Sequence, residues 1–244
     1  MTDRAHRVPA GRTERDDVAP RRARPAWEVP RAQLALGRLL RPLVARWLRL
    51  EVDGRDNVPE VGPVLLAATH RSHADSMAIG AALDRPVHFL GDVRLTRWPV
   101  VGRTLPSFGM VPIARGERDA TTLRRVAELL TGTGACLVVY PEGTRSRDGR
   151  VHRLRGGLAR IAAATASPVV PVAVIGTERA WPIGRPPRLR GARARVRFGP
   201  SLPAPAPHAA DRRAFSERLQ AELVALAGTT AAASLAPIRG RSEA

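Results

Sequence analysis

Short apolar runs alternate with stretches of helical periodicity through the middle of this chain, and that alternation leaves few folds open to it. Residues 63–68, 86–90, 109–113, 136–140 and 169–175 are strand-length runs rich in Val, Leu and Ile, bounded by Pro or Gly. Between them, a Ser72/Asp75 capping pair opens a helix to about residue 83. Leu123, Val126, Leu129 and Leu130 fall at helical spacing within 121–130, and 154–166 reads as another helix. Ala194, Val196 and Phe198 alternate with Arg193, Arg195 and Arg197 in a last strand, and 208–227 forms a last helix. Strands that are nearly all apolar need cover on both faces. The fold class expected is therefore α/β: one αβ sandwich with a mainly parallel or mixed sheet flanked by helices.

At 244 residues the chain suits one sizeable domain rather than two, and it shows no internal repeat. The domain is expected over residues 30–228. Residues 1–29 mix Arg, Asp, Pro and Gly without period and are expected to be disordered, as is the Ala-rich tail 229–244. The single cysteine, Cys136, lies beside Leu137, Val138 and Val139 and reads as a small core residue; it excludes an internal disulfide.

The net charge is +18, and all 40 basic residues are arginine. Such a balance calls for an acidic partner: nucleic acid, an anionic membrane or phosphorylated substrates. A GC-rich coding bias also raises arginine, alanine and proline together, but it does not explain where the arginines gather. Nucleic-acid binding is disfavoured, because one Tyr and four Phe offer little for base stacking and no reading motif is present. No apolar run reaches the length of a transmembrane helix, and no signal peptide is evident, so the protein is expected to stay in the cytoplasm.

Residues 31–50 read as an amphipathic helix ahead of the sandwich. At 100° per residue, Arg31, Arg38, Arg41, Arg46 and Arg49 fall within an arc of about 140°, with Leu36, Leu39, Leu40, Leu43, Val44 and Trp47 opposite. Pro42 is expected to kink it. The same wheel serves an interfacial membrane helix and a helix that packs its leucines on the domain while solvating its arginines. A second basic cluster, residues 185–197, carries six arginines and no acid.

Two runs carry the chemistry. In the first, His70 is followed by Asp75 across a loop-to-helix junction. Histidine accepts protons near neutral pH, and a carboxylate can hold one ring nitrogen and so choose the tautomer. No G-x-S-x-G elbow supplies a nucleophile, so the base is expected to activate a substrate hydroxyl directly. A zinc site from His70, His73 and Asp75 would lack both a helical H-E-x-x-H and a cysteine. The second run, Tyr140-Pro141-Glu142-Gly143-Thr144-Arg145-Ser146, follows a strand, at the end of a sheet where α/β folds bind ligands. Its amides, Thr144 and Arg145 suit a phosphate.

These residues together resemble the glycerophospholipid acyltransferases, whose best-known members acylate lysophosphatidic acid. The family's N-H-x4-D corresponds to His70–Asp75, with Thr69 in place of asparagine. Gly109, Val111, Pro112, Ile113 and Arg115 match its second motif; residues 141–146 match P-E-G-T-R-S, with Tyr140 for phenylalanine. Val170, Pro171, Val172 and Val174 match the fourth, and Arg155-Gly156-Gly157 resembles an intervening K-x-G step. The resemblance implies an O-acyltransferase of phospholipid biosynthesis that makes phosphatidic acid. His70 would deprotonate the hydroxyl of 1-acylglycerol 3-phosphate, Asp75 would orient His70, and the hydroxyl would attack acyl-CoA or acyl carrier protein without an acyl-enzyme. Arg115, Glu142, Gly143, Thr144 and Arg145 would hold the acceptor's phosphate and glycerol. No metal or cofactor is implied beyond the thioester co-substrate. The expected partners are that donor, a lysophospholipid and the anionic inner face of the cell membrane, where the protein would sit peripherally; other lysolipids or glycerol 3-phosphate remain alternative acceptors.

Overall fold

The computed structural model describes residues 31–92, 109–113 and 119–237. In chain order the elements are α1 (Arg31–Trp47), β1 (Glu51–Asp53), a 3-10 turn (Arg55–Asn57), β2 (Val64–Ala68), α2 (Asp75–Ala82), β3 (Val87–Asp92), β4 (Met110–Ile113), α3 (Asp119–Thr133) and β5 (Cys136–Val139). There follow α4 (Gly157–Thr165), β6 (Val169–Ile175), a single turn α5 (Thr177–Ala180), β7 (Arg195–Phe198) and α6 (Ala209–Ala227). Among the described residues the strands form one sheet of order β1-β7-β6-β2-β5-β3-β4. β6, β2, β5, β3 and β4 run parallel, while β7 is antiparallel to β6 and carries β1 parallel beside it. The expected αβ sandwich with a mixed, mainly parallel sheet is what forms.

The central strand shows why. All of Val64, Leu65, Leu66, Ala67 and Ala68 are fully buried, so β2 has no solvent face. Leu65 and Ala67 point into a cluster with α3, α4 and α6; Val64, Leu66 and Ala68 point the other way, into a cluster with α1 and α2. A fully buried leucine contributes roughly 1.5–3 kcal/mol relative to exposure. Cutting Leu66 to Ala would cost about 2–5 kcal/mol. Cys136 belongs to this core; burial pushes its thiol up to about 12.

Two expectations change. The tail 229–244 was expected to be disordered, yet residues 229–237 are held against the domain at several points. Val151 bridges to Ala231, Gln220 donates to the Ala232 carbonyl at 3.4 Å, and Ala232 and Ala236 are buried. Main-chain bonds order the segment: Val151 N donates to the Thr230 carbonyl and Arg153 N to the Ser234 carbonyl, each at 3.1 Å, and Ala232 N donates back to the Val151 carbonyl at 2.8 Å. Residues 238–244 and 1–29 lie outside the described residues.

The second change concerns α1. Its inner face is formed by Val44 and Trp47, with Leu48 fully buried just beyond it, and Trp47 Nε1 donates to the Arg188 carbonyl at 2.8 Å. Arg41, expected among the solvated arginines, turns inward: Nη2 donates to the Arg85 carbonyl at 2.9 Å, and Nη1 lies 3.8 Å from Asp84. A long stem with a hydrogen-bonding head can reach such carbonyls across apolar surface. With Arg41 inside, Leu39 and Leu43 are left 68% and 60% exposed.

Candidate active site

The site lies where β2, β5 and β6 end, at the carboxyl edge of the parallel strands. His70 follows β2 by two residues. Its Nδ1 is 2.8 Å from Asp75 Oδ2, and Asp75, the first residue of α2, is fully buried. The same oxygen accepts from the Arg71 and Ser72 amides at 2.7 and 2.8 Å, and Oδ1 accepts from the Thr177 hydroxyl. Everything else around this carboxylate is a donor, so the His70 ring meets it as Nδ1–H. That tautomer leaves Nε2 with a lone pair, and the side chain is 20% exposed. Half of the expected Ser72/Asp75 capping box is present, since the Ser72 amide donates to Asp75; the Ser72 hydroxyl instead accepts from Ala74 N at 3.0 Å.

Thr69 stands where the related motif has asparagine. Its hydroxyl accepts from Val174 N at 2.9 Å and faces the Val174 carbonyl at 3.4 Å, pinning the loop to β6. Tyr140 lies flat on His70, ring centroids 3.8 Å apart and planes 18° from parallel. Its hydroxyl pairs with Ser76 at 2.7 Å, and burial, helped by the negative Asp75, pushes its ionisation upward, so it acts as a neutral platform.

The loop after β5 is shaped from within. Gly143 has φ +72, and a Cβ there would sit 2.6 Å from the Arg155 side chain. Arg155 Nε donates to the Glu142 carbonyl at 3.1 Å, and Arg155 N donates to Pro141 O at 2.8 Å. The Ser146 amide donates to the His70 carbonyl at 2.7 Å, so this loop and the His70 loop are joined through the main chain. Glu142, expected among the residues gripping an acceptor, is 1% exposed, and its carboxylate accepts from the His152 amide at 3.0 Å. Burial raises its pKa against the pull of that amide.

Thr144 and Arg145 are partly exposed on the same loop. Arg145 Nη1 contacts His73 Nε2, and the His73 ring sits 5.3 Å from Trp181. Loss of hydration, then the Arg145 and His70 charges, lower the His73 pKa to about 4, leaving the ring neutral and able to accept from the guanidinium. The structure thus brings His70, Asp75, Glu142, Gly143, Thr144 and Arg145 together. Arg115 lies outside the described residues. Thr177, Ser76 and Trp181 were not singled out in the sequence; a threonine after a strand-ending Gly176 carries no local sign that its hydroxyl will meet an acid in another loop.

The sequence model of the family described as Acyltransferase matches residues 49–175, which takes in His70, Asp75 and the loop to Ser146. A chloroplastic 1-acyl-sn-glycerol-3-phosphate acyltransferase of Brassica napus is 32% identical over 139 residues, 56% of this chain and 40% of that protein. A 1-acyl-sn-glycerol-3-phosphate acyltransferase of Chlamydomonas reinhardtii is 30% identical over 188 residues, 74% of this chain and 56% of its own length. The chain thus spans about half the length of these relatives, or less. The crystal structure of the acyltransferase PlsC from Thermotoga maritima shares the fold, with a TM-score of 0.64 at 21% identity over 80% of each chain. With the family's sequence model covering the dyad and the loop that embraces it, the chain belongs to the acyltransferase family.

Proposed function

We propose that this protein transfers a fatty acyl group from acyl-CoA or an acyl carrier protein to the free hydroxyl of 1-acylglycerol 3-phosphate. The observation that carries the reading is the His70–Asp75 dyad, with His70 Nδ1 2.8 Å from Asp75 Oδ2 at the strand ends. Two relatives named as acyltransferases of this acceptor support it. In the reaction, His70 Nε2 takes the hydroxyl proton as the oxygen attacks the thioester carbonyl. The new C–O bond forms, the C–S bond breaks, and the imidazolium returns the proton to the departing thiolate. Asp75 holds the ring and offsets its transient charge. Arg145 and Thr144, with Arg115, are the groups suited to the acceptor's phosphate; Glu142 and Arg155 keep the loop in shape, and the Gly143 amide closes the turn on the Tyr140 carbonyl at 3.0 Å. The chemistry needs neither a metal nor a redox cofactor.

The acceptor lives in a bilayer, and no helix among the described residues is long and apolar enough to cross one. We assign the surface contact to α1, where exposed Leu39 and Leu43 stand beside exposed Arg38 and Arg46, with Arg49 just past the helix end. This is an apolar insertion edge with a basic rim, suited to a peripheral position on the anionic inner face of the cell membrane.

Purified full-length protein, labelled acyl-CoA or acyl carrier protein, and a panel of 1-acylglycerol 3-phosphate, other lysolipids and glycerol 3-phosphate test the reading, with products resolved by mass. Phosphatidic acid as the main product is expected. Product from another acceptor alone would move the assignment to that substrate, and no acylated product from any would overturn it.

A further inference from the structure

On the sheet face away from α1, α4 and α6 enclose a cleft of about 240 Å³. Arg153, Arg160, Arg212 and Arg213 line it, against a single carboxylate, Glu217. The acyl-transfer chemistry described above uses none of them. The cleft is close to that chemistry all the same. It includes Gly156, the neighbour of Arg155, whose amide is bonded to Pro141, the neighbour of the Tyr140 that stacks on His70. Added up along these links, Gly156 lies no more than roughly 25 Å from the His70 ring.

The geometry points to this cleft as the docking surface for an acidic acyl carrier protein, the donor's protein form. The inference rests on the acyl-transfer reading and specifies which surface receives the donor. Charge complementarity favours the occupant: a patch of four arginines with one acid attracts a protein surface rich in carboxylates and steers its approach. The layering supports it too. Leu39 and Leu43 belong to the α1 side of the sheet, so a bilayer meeting that side leaves the α4/α6 side facing water, where a soluble carrier travels. The lipid and the carrier would then reach the strand ends from opposite faces.

The test uses the full chain, with the same acyl group presented on CoA and on an acidic acyl carrier protein. Two variants are compared with the wild type: all four arginines changed to Ala, and the milder pair Arg212→Ala and Arg213→Ala, in case the first folds poorly. The KM for the carrier-bound donor is expected to rise ~10-fold or more in the fourfold variant, the CoA donor changing little, since rim charges act chiefly on encounter. Fluorescence anisotropy of labelled holo-carrier supplies a readout that needs no turnover; the wild type should bind, more weakly as salt rises, and the variants should bind less. Unchanged carrier KM and binding would overturn the docking surface. So would equal losses with both donors, or a loss of anionic-vesicle binding instead of carrier binding. A wild type that binds carrier but transfers from neither donor would refute the acyl-transfer reading while leaving the docking surface standing.

Discussion

The Thr177 hydroxyl donates to Asp75 Oδ1 across 102 residues of sequence, so the acid that holds His70 is itself held from beyond the end of β6. Thr177→Val keeps the shape and removes the donor. It leaves a buried carboxylate oxygen short of a partner, a loss worth about 1–3 kcal/mol. We expect kcat to fall with acceptor KM little changed, and the acid limb of the pH–rate profile to move; Thr177→Ser should restore both. Wild-type kcat and an unmoved limb in the Val variant would reduce Thr177 to packing.

His70→Ala should lose ~10²- to 10⁴-fold in kcat, the usual range for a missing general base. The fold should survive with a modestly lower thermal midpoint, since the Tyr140 stack and one donor to Asp75 are lost while the Arg71 and Ser72 amides still hold the same oxygen. Asp75→Asn should lose rate and stability together, since the Arg71 and Ser72 amides and the Thr177 hydroxyl all donate to that carboxylate. Full turnover in a folded His70→Ala enzyme would end the base assignment.

Arg145→Ala and Arg115→Ala should each weaken the phosphate-bearing acceptor, a charge-assisted contact being worth roughly 1.5–3 kcal/mol. The readout is KM for 1-acylglycerol 3-phosphate beside KM for an uncharged monoacylglycerol. A rise confined to the phosphorylated acceptor is expected; equal values in variant and wild type would remove that arginine from the pocket.

His73 gives a pH dependence with a definite sign. Its folded pKa is lowered from 6.5 to about 4, so in that window the unfolded chain binds more protons than the folded one. Stability should therefore decline as pH falls from about 6.5 towards 4 and be fully present above. Denaturant midpoints measured across that range should fall less steeply in His73→Gln. Parallel curves for the two proteins would show that His73 does not titrate there.

Changing Leu39 and Leu43 to Glu should release the protein from anionic vesicles at low salt. Changing Arg38, Arg46 and Arg49 to Glu should weaken binding by ~1 kcal/mol per lost charge and more at low ionic strength. Co-sedimentation of both variants beside the intact chain decides it: undiminished binding by the leucine variant would make α1 a packing element only.

Most of the architecture was legible because buried parallel strands are written as plain apolar runs. Residues 64–68, 136–139 and 169–175 announce themselves in that way. β1 did not, since Glu51-Val52-Asp53 is a half-exposed edge whose partner, β7, lies over a hundred residues away. Strand order and the reversal of β7 are likewise long-range properties. In α1 the wheel places Val44 and Trp47 on the inner side and Arg38, Arg46 and Arg49 outside, as found, but it ranks Arg41 by polarity alone, while the fold offers its guanidinium the Arg85 carbonyl. At the site, His70, Asp75 and the loop to Arg145 could be found from spacing. The inward turn of Glu142 could not, because it depends on where the chain returns at His152.

The bond from the Ser146 amide to the His70 carbonyl sets a rule about length rather than chemistry. Side-chain substitutions leave a peptide N–H and a C=O in place, so this joint survives most point mutations. A single inserted or deleted residue between Pro141 and Arg145 would move that amide by up to about 3.8 Å, past the reach of any hydrogen bond. It would also carry Gly143 away from the Arg155 side chain it accommodates. The loop can therefore vary in identity where it is exposed, but its residue count is not free to drift.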